Sequence, residues 1–261
     1  MSEALRLAER ELAAAGVDTP RVDAELLLAH VLGTSRSGVY AQADSEVPGS
    51  YQVLLGRRLK REPLAYVLGE WGFRRLVLKT DARALVPRPE TEVVVERCLA
   101  LLRDEQHPRV LDVGTGTGAI ALAIADEHAG ARVTAIDASA DAVALARENA
   151  ERLQLDIDVR VGDFGAAAEG WDLVVANLPY VLPEEWETLQ PEVRDWEPRD
   201  ALVGVGLHEE LARLAQTRLL VLETHECQAP DVAQTLMSLG YVDVRITPDL
   251  AGKPRVVEGR R

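Results

Sequence analysis

A short apolar run that feeds straight into a glycine-rich turn constrains this chain more than any other feature. Val110-Leu111-Asp112-Val113 reads as a strand buried on both faces, and Gly114-Thr115-Gly116-Thr117-Gly118 follows it without a spacer. A helical pattern over Ala119–Glu127 begins at once. Glycines here permit a tight turn and let a ligand approach the backbone, while the helix N-terminus behind them offers free amides. The next strand, Arg132–Ile136, leads to Asp137, about 20 residues beyond the loop, where a carboxylate can accept from both hydroxyls of a ribose. A glycine-rich turn alone is weak. The order strand, GxGxG, helix, strand, acid is much stronger, and it calls for a nucleoside cofactor at a sheet edge.

The spacing also bears on which cofactor. Dinucleotide sites usually read GxGxxG, because the third glycine lets the helix pack close. GxGxG after an Asp-bearing strand resembles the fold that binds S-adenosylmethionine, which is favoured over a nicotinamide or flavin. Further strands are expected at Asp158–Val161, Asp172–Ala176, Arg218–Glu223 and Tyr241–Thr247, with a short one near Arg255–Glu258. Helices are expected at Ala140–Leu153 and Asp231–Leu239. Such alternation predicts an α/β protein with a mostly parallel sheet covered on both faces. The fold this resembles is the Rossmann-like sheet of class I S-adenosylmethionine-dependent methyltransferases. In them an acid and its neighbour after the third strand sit beside the adenine, as Asp163 and Phe164 would here. The residues alone equally allow a turn at Asp163 and a core position for Phe164.

The fourth strand of this series ends at Asn177-Leu178-Pro179-Tyr180. In an open α/β sheet that edge is where ligands bind. A planar amide or aryl amine nitrogen has a delocalised lone pair and attacks poorly. Acceptors set against its two N–H bonds orient it, and they strengthen as positive charge develops on it. The side-chain oxygen of Asn177 and the main-chain carbonyl of Leu178 can supply that pair, and Tyr180 can stack on the planar group. Leu178 precedes proline and is held extended. Alone, the tetrapeptide reads as a strand-terminating turn; after the glycine loop and Asp137 it reads as an acceptor site for a planar nitrogen.

Ahead of the loop the pattern differs. Leu5, Ala8, Leu12 and Ala15 recur at helical spacing, Asp23–Leu32 reads as a second helix stopped by Gly33, and a third lies near Tyr51 to Arg61. Trp71, Phe73, Leu76 and Leu78 suggest a hairpin, and Val86–Glu92, with prolines on both sides of Arg88, cannot be helix interior. Helix resumes at Val93, with Thr91 as its cap. The expected organisation is a helical, partner-binding domain over 1–62, an interdomain hairpin and linker over 63–92, and a catalytic domain over 93–261. Against 43 acidic residues stand 29 basic ones, a net charge of −14, which weighs against a nucleic-acid substrate held by its phosphates. Two cysteines outside any CxxC pair and five scattered histidines suggest reduced thiols and no metal site. With neither a signal-peptide pattern nor an apolar run of membrane-spanning length, no membrane association and a cytoplasmic location are expected.

With these residues in hand, the chain resembles the release factor glutamine methyltransferase family over nearly its whole length. Asp23–His30 resembles that family's N-terminal helical domain, and Pro63–Trp71 with Val86–Glu92 its interdomain segment. Asp112–Leu122 resembles its cofactor loop and Asp249–Val257 its C-terminal hairpin. Pro87-Arg88-Pro89-Glu90-Thr91-Glu92 is the most specific of these, since general methyltransferases lack it. The resemblance implies methylation of the glutamine amide nitrogen in the Gly-Gly-Gln motif of class 1 peptide chain release factors, which the helical domain would grip. It implies cofactor contacts from Gly114 to Gly118, Asp137, Phe164 and Asn177, and glutamine contacts from Asn177 to Tyr180. A related family acts on a ribosomal-protein glutamine, and adenine N6-methyltransferases act on RNA or DNA. The acidic charge and the residues before the loop disfavour the nucleic-acid alternative. Two departures stand out. Leu178 replaces the usual first proline of Asn-Pro-Pro-Tyr, giving a tetrapeptide also similar to that of ribosomal RNA adenine dimethyltransferases. The stretch from Leu202 to Glu223 is shorter than the family's, so no helix is placed there.

Overall fold

The computed structural model describes residues 2–42 and 46–261. In chain order it begins with α1 (Ser2–Ala14), α2 (Pro20–Leu32), α3 (Arg36–Ala41), α4 (Gly49–Leu59) and α5 (Leu64–Leu68), then the strands β1 (Glu70–Phe73) and β2 (Leu76–Lys79). Next come α6 (Thr91–Leu102), β3 (Arg109–Val113), α7 (Ala119–Glu127), β4 (Arg132–Asp137), α8 (Ala140–Leu153), β5 (Asp158–Val161) and β6 (Trp171–Asn177). The chain finishes with α9 (Pro191–Arg194), α10 (Leu207–Leu214), β7 (Thr217–Glu223), α11 (Ala229–Ser238), β8 (Val242–Pro248) and β9 (Pro254–Arg260). Among the described residues no helix is long and apolar enough to cross a membrane.

Two compact units share these elements: residues 1–70 with 190–196, and residues 71–189 with 197–261. In the first, α1 buries Leu5, Ala8 and Leu12, one stripe at helical spacing, against Ala24, Leu27 and Leu28 of α2. Pro20 opens α2, where a missing N–H costs nothing, and Gly33 closes it at φ +60. Beneath this apolar cluster runs a chain of buried charges. Thr19 Oγ1 donates to Asp23 at 2.7 Å, and the Arg58 guanidinium donates to Asp23 at 2.7 Å and to Glu192 at 2.8 Å. Arg61 also grips Glu192, and Gln190 donates to Asp18 at 2.7 Å. These bonds explain why 190–196 belongs to the first unit although it is far away in sequence.

The second unit is built on a seven-stranded sheet in the order β5-β4-β3-β6-β7-β9-β8. The first five strands are parallel, β9 runs antiparallel to β7, and β8 antiparallel to β9. Because both faces are covered, β3, β6 and β7 are nearly continuous apolar runs, and successive residues feed opposite cores. Val110, Leu173 and Val175 pack with α6, α7 and α8; Leu111, Val174 and Ala176 pack with α10 and α11. Asp137 and Asn177 are the last residues of their strands, one beyond the expected ends, and both therefore stand on the carboxyl edge.

Some local expectations are corrected. Leu64–Leu68, within the expected interdomain hairpin and linker, forms α5, which Gly69 stops at φ +75. Thr91 is not the cap of α6 but its first residue, and the capping position falls to Glu90, whose side chain makes no capping bond. A helix, α10, occupies the short stretch after Leu202.

Arg58 is 5% exposed and carries two carboxylates, so removing it leaves buried Asp23 to the Thr19 hydroxyl and Glu192 to Arg61. Arg58→Ala is expected to lose about 3–5 kcal/mol of stability in the unit that holds it. Urea denaturation of the full chain, followed by far-ultraviolet circular dichroism, measures this; a loss below about 1 kcal/mol would dismiss the network's role.

Candidate active site

Strand order turns back between β3 and β6: the chain builds β4 and β5 on one side of β3, then returns to lay β6 on the other. The loops after β3 and β6 diverge there and leave a crevice at the carboxyl edge. A cavity of about 870 Å³ fills it. That lies near the top of the ~300–1,000 Å³ span of small-molecule sites, room enough for a nucleoside cofactor and an entering side chain.

The glycine loop forms one wall. Gly114, Gly116 and Gly118 all have positive φ, so the turn itself demands glycine. A Cβ on Gly118 would also meet Leu122 at 3.0 Å, which explains close packing of α7 on the loop. Gly114 to Thr117 line the cavity, whereas Gly118 stands behind them at the N-cap of α7. The amides of Gly114 and Thr115 both donate to the Ile136 carbonyl at 2.9 Å. Asp137 completes the tie: Oδ2 accepts from Gly116 N and Oδ1 from Ser139 N, each at 2.9 Å. Each oxygen keeps a further lone pair, which is what two ribose hydroxyls require.

Asp163 and Phe164 line the cavity and also take the turn and core positions that the residues alone allowed. Asp163 caps a 3₁₀ turn by accepting from Gly165 N at 2.8 Å, and it also lines the cavity. Phe164 lines the cavity with one part of its surface and packs on the apolar cluster with another. Glycine amides, a half-committed carboxylate and an aromatic wall in one crevice fit an adenosine cofactor.

Asn149, which motif reading passed over, and Asp112, read only as part of the strand and cofactor loop, hold this wall in place. Asn149 of α8 is fully buried; it accepts from Lys79 N at 2.7 Å and donates to the carbonyls of Lys79 and Thr117 at 3.1 and 2.9 Å. Asp112 is also fully buried, accepting through Oδ2 from Thr115 Oγ1 at 2.6 Å and Ala121 N at 3.2 Å, while Oδ1 has no partner. Burial raises its pKa to about 7, partly offset by the Thr115 and Ala121 bonds.

The acceptor tetrapeptide forms the opposite wall, where Asn177, Leu178 and Pro179 line the cavity. Asn177 Nδ2 donates to Thr91 Oγ1 at 3.3 Å, which leaves Oδ1 as the accepting end of the amide. Leu178 is 3% exposed, and its side chain belongs to the apolar core below the loop. No main-chain donor among the described residues takes its carbonyl. Leucine here therefore fills a core position while its carbonyl stays available. Tyr180 lies outside the lining, its ring 6.1 Å from that of His225, and burial raises its phenol pKa. Arg88 Nη2 donates to Glu197 at 2.6 Å, so this arginine neutralises a buried carboxylate within its own unit. Glu184, Glu185 and Glu187 belong to an exposed 3₁₀ turn, as expected of a solvated face.

Comparison with known proteins agrees with this geometry. Residues 3–69 match the PrmC N-terminal domain and residues 93–189 the methyltransferase small domain. A release factor glutamine methyltransferase of Deinococcus radiodurans is 40% identical, the match covering 100% of this chain and 98% of that one. One from Caulobacter vibrioides is 36% identical over 97% and 93%. Among solved structures, the human METTL16 catalytic domain in complex with MAT2A 3′UTR hairpin 1 has a TM-score of 0.54 at 16% identity. That match covers 70% of this chain and 74% of the other, and it shows the shared fold. Sheet, loop and cavity are those of a class I methyltransferase enzyme whose methyl donor is S-adenosylmethionine. The chain belongs to the release factor glutamine methyltransferase family.

Asp112 sets a pH dependence of stability. Its folded pKa of about 7 lies above the ordinary 3.8, so the proton it retains favours the folded state. That contribution is complete below about pH 4 and is lost as pH rises through about 7. Asp112→Asn, always neutral and still able to accept both bonds, is expected to gain on the order of 2–4 kcal/mol relative to wild type between those pH values. Denaturation midpoints across the range test this; parallel curves for the two proteins would refute it.

Proposed function

We propose that the chain methylates the side-chain amide nitrogen of the glutamine in the Gly-Gly-Gln motif of class 1 peptide chain release factors. The observation that carries this reading is the pair of open acceptors, Asn177 Oδ1 and the Leu178 carbonyl, on the wall that faces the glycine loop. A primary amide has two N–H bonds, and one acceptor for each holds its plane and directs its nitrogen. Release factors are favoured as substrates because the named relatives match end to end and residues 3–69 match the PrmC N-terminal domain. In the roles proposed, Gly114 to Thr117, Asp137, Asp163 and Phe164 hold the cofactor and Asn177 to Pro179 the glutamine, while Gly118 and Tyr180 support the two walls from behind the lining. Asn177 also contacts the cofactor.

S-adenosylmethionine supplies a methyl group on a sulfonium, whose departure leaves a neutral thioether. The protein must place the amide nitrogen in line with that carbon and stabilise the positive charge the nitrogen gains. Both acceptors strengthen as the N–H bonds polarise, so they favour the transition state over the bound substrate. The nitrogen then loses one proton to water and keeps its new bond to carbon. No strong base is needed, because the methylated nitrogen is acidic until it sheds that proton.

Incubation with a purified class 1 release factor and labelled donor, followed by mass mapping, is expected to place one methyl on the Gly-Gly-Gln glutamine. Folded enzyme that leaves this residue unmodified would sink the reading. Asn177→Ala is expected to lower kcat by 100-fold or more, on the order of an oxyanion-hole deletion, with cofactor affinity still measurable. Unchanged turnover would remove Asn177 from the site.

A further inference from the structure

The acceptor wall is useful only if Asn177 presents oxygen and not nitrogen to the substrate. The two ends of a side-chain amide are nearly the same shape, so something outside the residue must choose between them. Thr91 makes contact with the nitrogen end, accepting from Asn177 Nδ2 at 3.3 Å. A hydroxyl can accept there or donate, and by itself it would serve either end. What decides is where the hydroxyl's own proton goes.

Glu223 is the last residue of β7, directly opposite Asn177 in the parallel register. It is 1% exposed, and its Oε2 has no partner. Thr91 is bonded to Asn177, the register partner of Glu223, and its hydroxyl favours the charged form of this carboxylate. We propose that Thr91 and Glu223 are positioning residues that fix the orientation of the Asn177 amide. With Glu223 ionised, the Thr91 proton is drawn to the carboxylate, only lone pairs remain toward Asn177, and the amide must turn Nδ2 to Thr91 and Oδ1 to the substrate. With Glu223 protonated, the carboxyl can donate to Thr91, and Thr91 to Asn177 Oδ1. The amide then turns its nitrogen to the acceptor site, where it meets the substrate's N–H bonds donor against donor. The inference rests on the acceptor role proposed for Asn177.

The surroundings put this switch within reach of neutral pH. Burial raises the Glu223 pKa to about 7; Thr91, Arg255 of β9 and Arg88 lower it, and Glu90 ahead of α6 raises it. Tyr180, after β6, is a neutral phenol whose own pKa Glu223 helps raise. From α10, His208 sets Nε2 2.8 Å from the Glu223 carbonyl, and burial keeps that ring neutral.

The test is kcat and KM for methyl transfer to a purified class 1 release factor from about pH 5.5 to 9, with cofactor affinity measured in parallel. Wild-type kcat is expected to fall tenfold per pH unit below about pH 7. Glu223→Gln is expected to abolish that acid limb and to run below the wild-type plateau. Thr91→Val, which keeps the shape and loses the hydroxyl, is expected to lower kcat about tenfold or more at pH 8 with cofactor affinity unchanged, and Thr91→Ser to restore it. An acid limb that survives in Glu223→Gln, or Thr91→Val within twofold of wild type, overturns the proposal. If Asn177→Ala is itself active, the failure lies with the acceptor site; if only the Thr91 and Glu223 variants behave normally, it lies with the relay.

Discussion

The reversal of strand order between β3 and β6 is the constraint on which the rest of the catalytic unit depends. Parallel strands end together on one edge, and only at a reversal do the loops that follow them part. The cofactor loop after β3 and the acceptor tetrapeptide after β6 are neighbours for that reason alone. Their strands pair directly, with Val113 in register with Ala176, so the glycine loop and the tetrapeptide are brought to one crevice by backbone hydrogen bonds. The spacing across the crevice is thus set by the pairing of β3 with β6.

Around that crevice the same device recurs: a polar side chain takes up main-chain groups that the turns leave unpaired. Asp137 ties Gly116, Asn149 ties Lys79 and Thr117, and Asp112 ties Ala121 and the Thr115 hydroxyl. A loop rich in glycine is costly to order, and each of these bonds offsets part of the loss by fixing backbone. Buried acids also cost energy when ionised, which is why Asp112 holds its proton up to about pH 7. Glu223, at the end of β7, pays the same desolvation cost.

The first unit follows a different logic. Its helices are short, and α3 and α5 are too brief to persist alone. Apolar stripes from α1, α2 and α4 meet in one cluster, and the buried Asp23–Arg58–Glu192 chain ties in a segment from beyond the acceptor site. The chain that leaves Tyr180 therefore returns to the first unit before it enters α10. Nothing in the local pattern of 190–196 announces this, because the ion pairs that place it join residues more than 130 positions apart.

The sheet was legible because burial on both faces writes itself into sequence as unbroken Val, Leu and Ala runs, as in Leu173–Ala176, or nearly unbroken ones, as in Val110–Val113 around Asp112. Glycine spacing and the acid at the end of β4 were legible because a positive φ and a strand end are local properties. The family resemblance followed from such local motifs. Short elements were not legible: α5 lies in a proline-bounded stretch whose pattern gives no period, and α10 depends on a core that other elements supply. Thr91 shows the limit most clearly. Its place before a helical run suggested a cap, yet its hydroxyl is taken by Asn177, 86 residues away. By itself the sequence determined the strands, the glycine turn and the acceptor tetrapeptide, since backbone geometry and face-by-face burial act over a few residues. Only the tertiary structure decided which buried acids lie beneath them, because desolvation and hydrogen bonding across the sheet depend on neighbours that are remote in the chain.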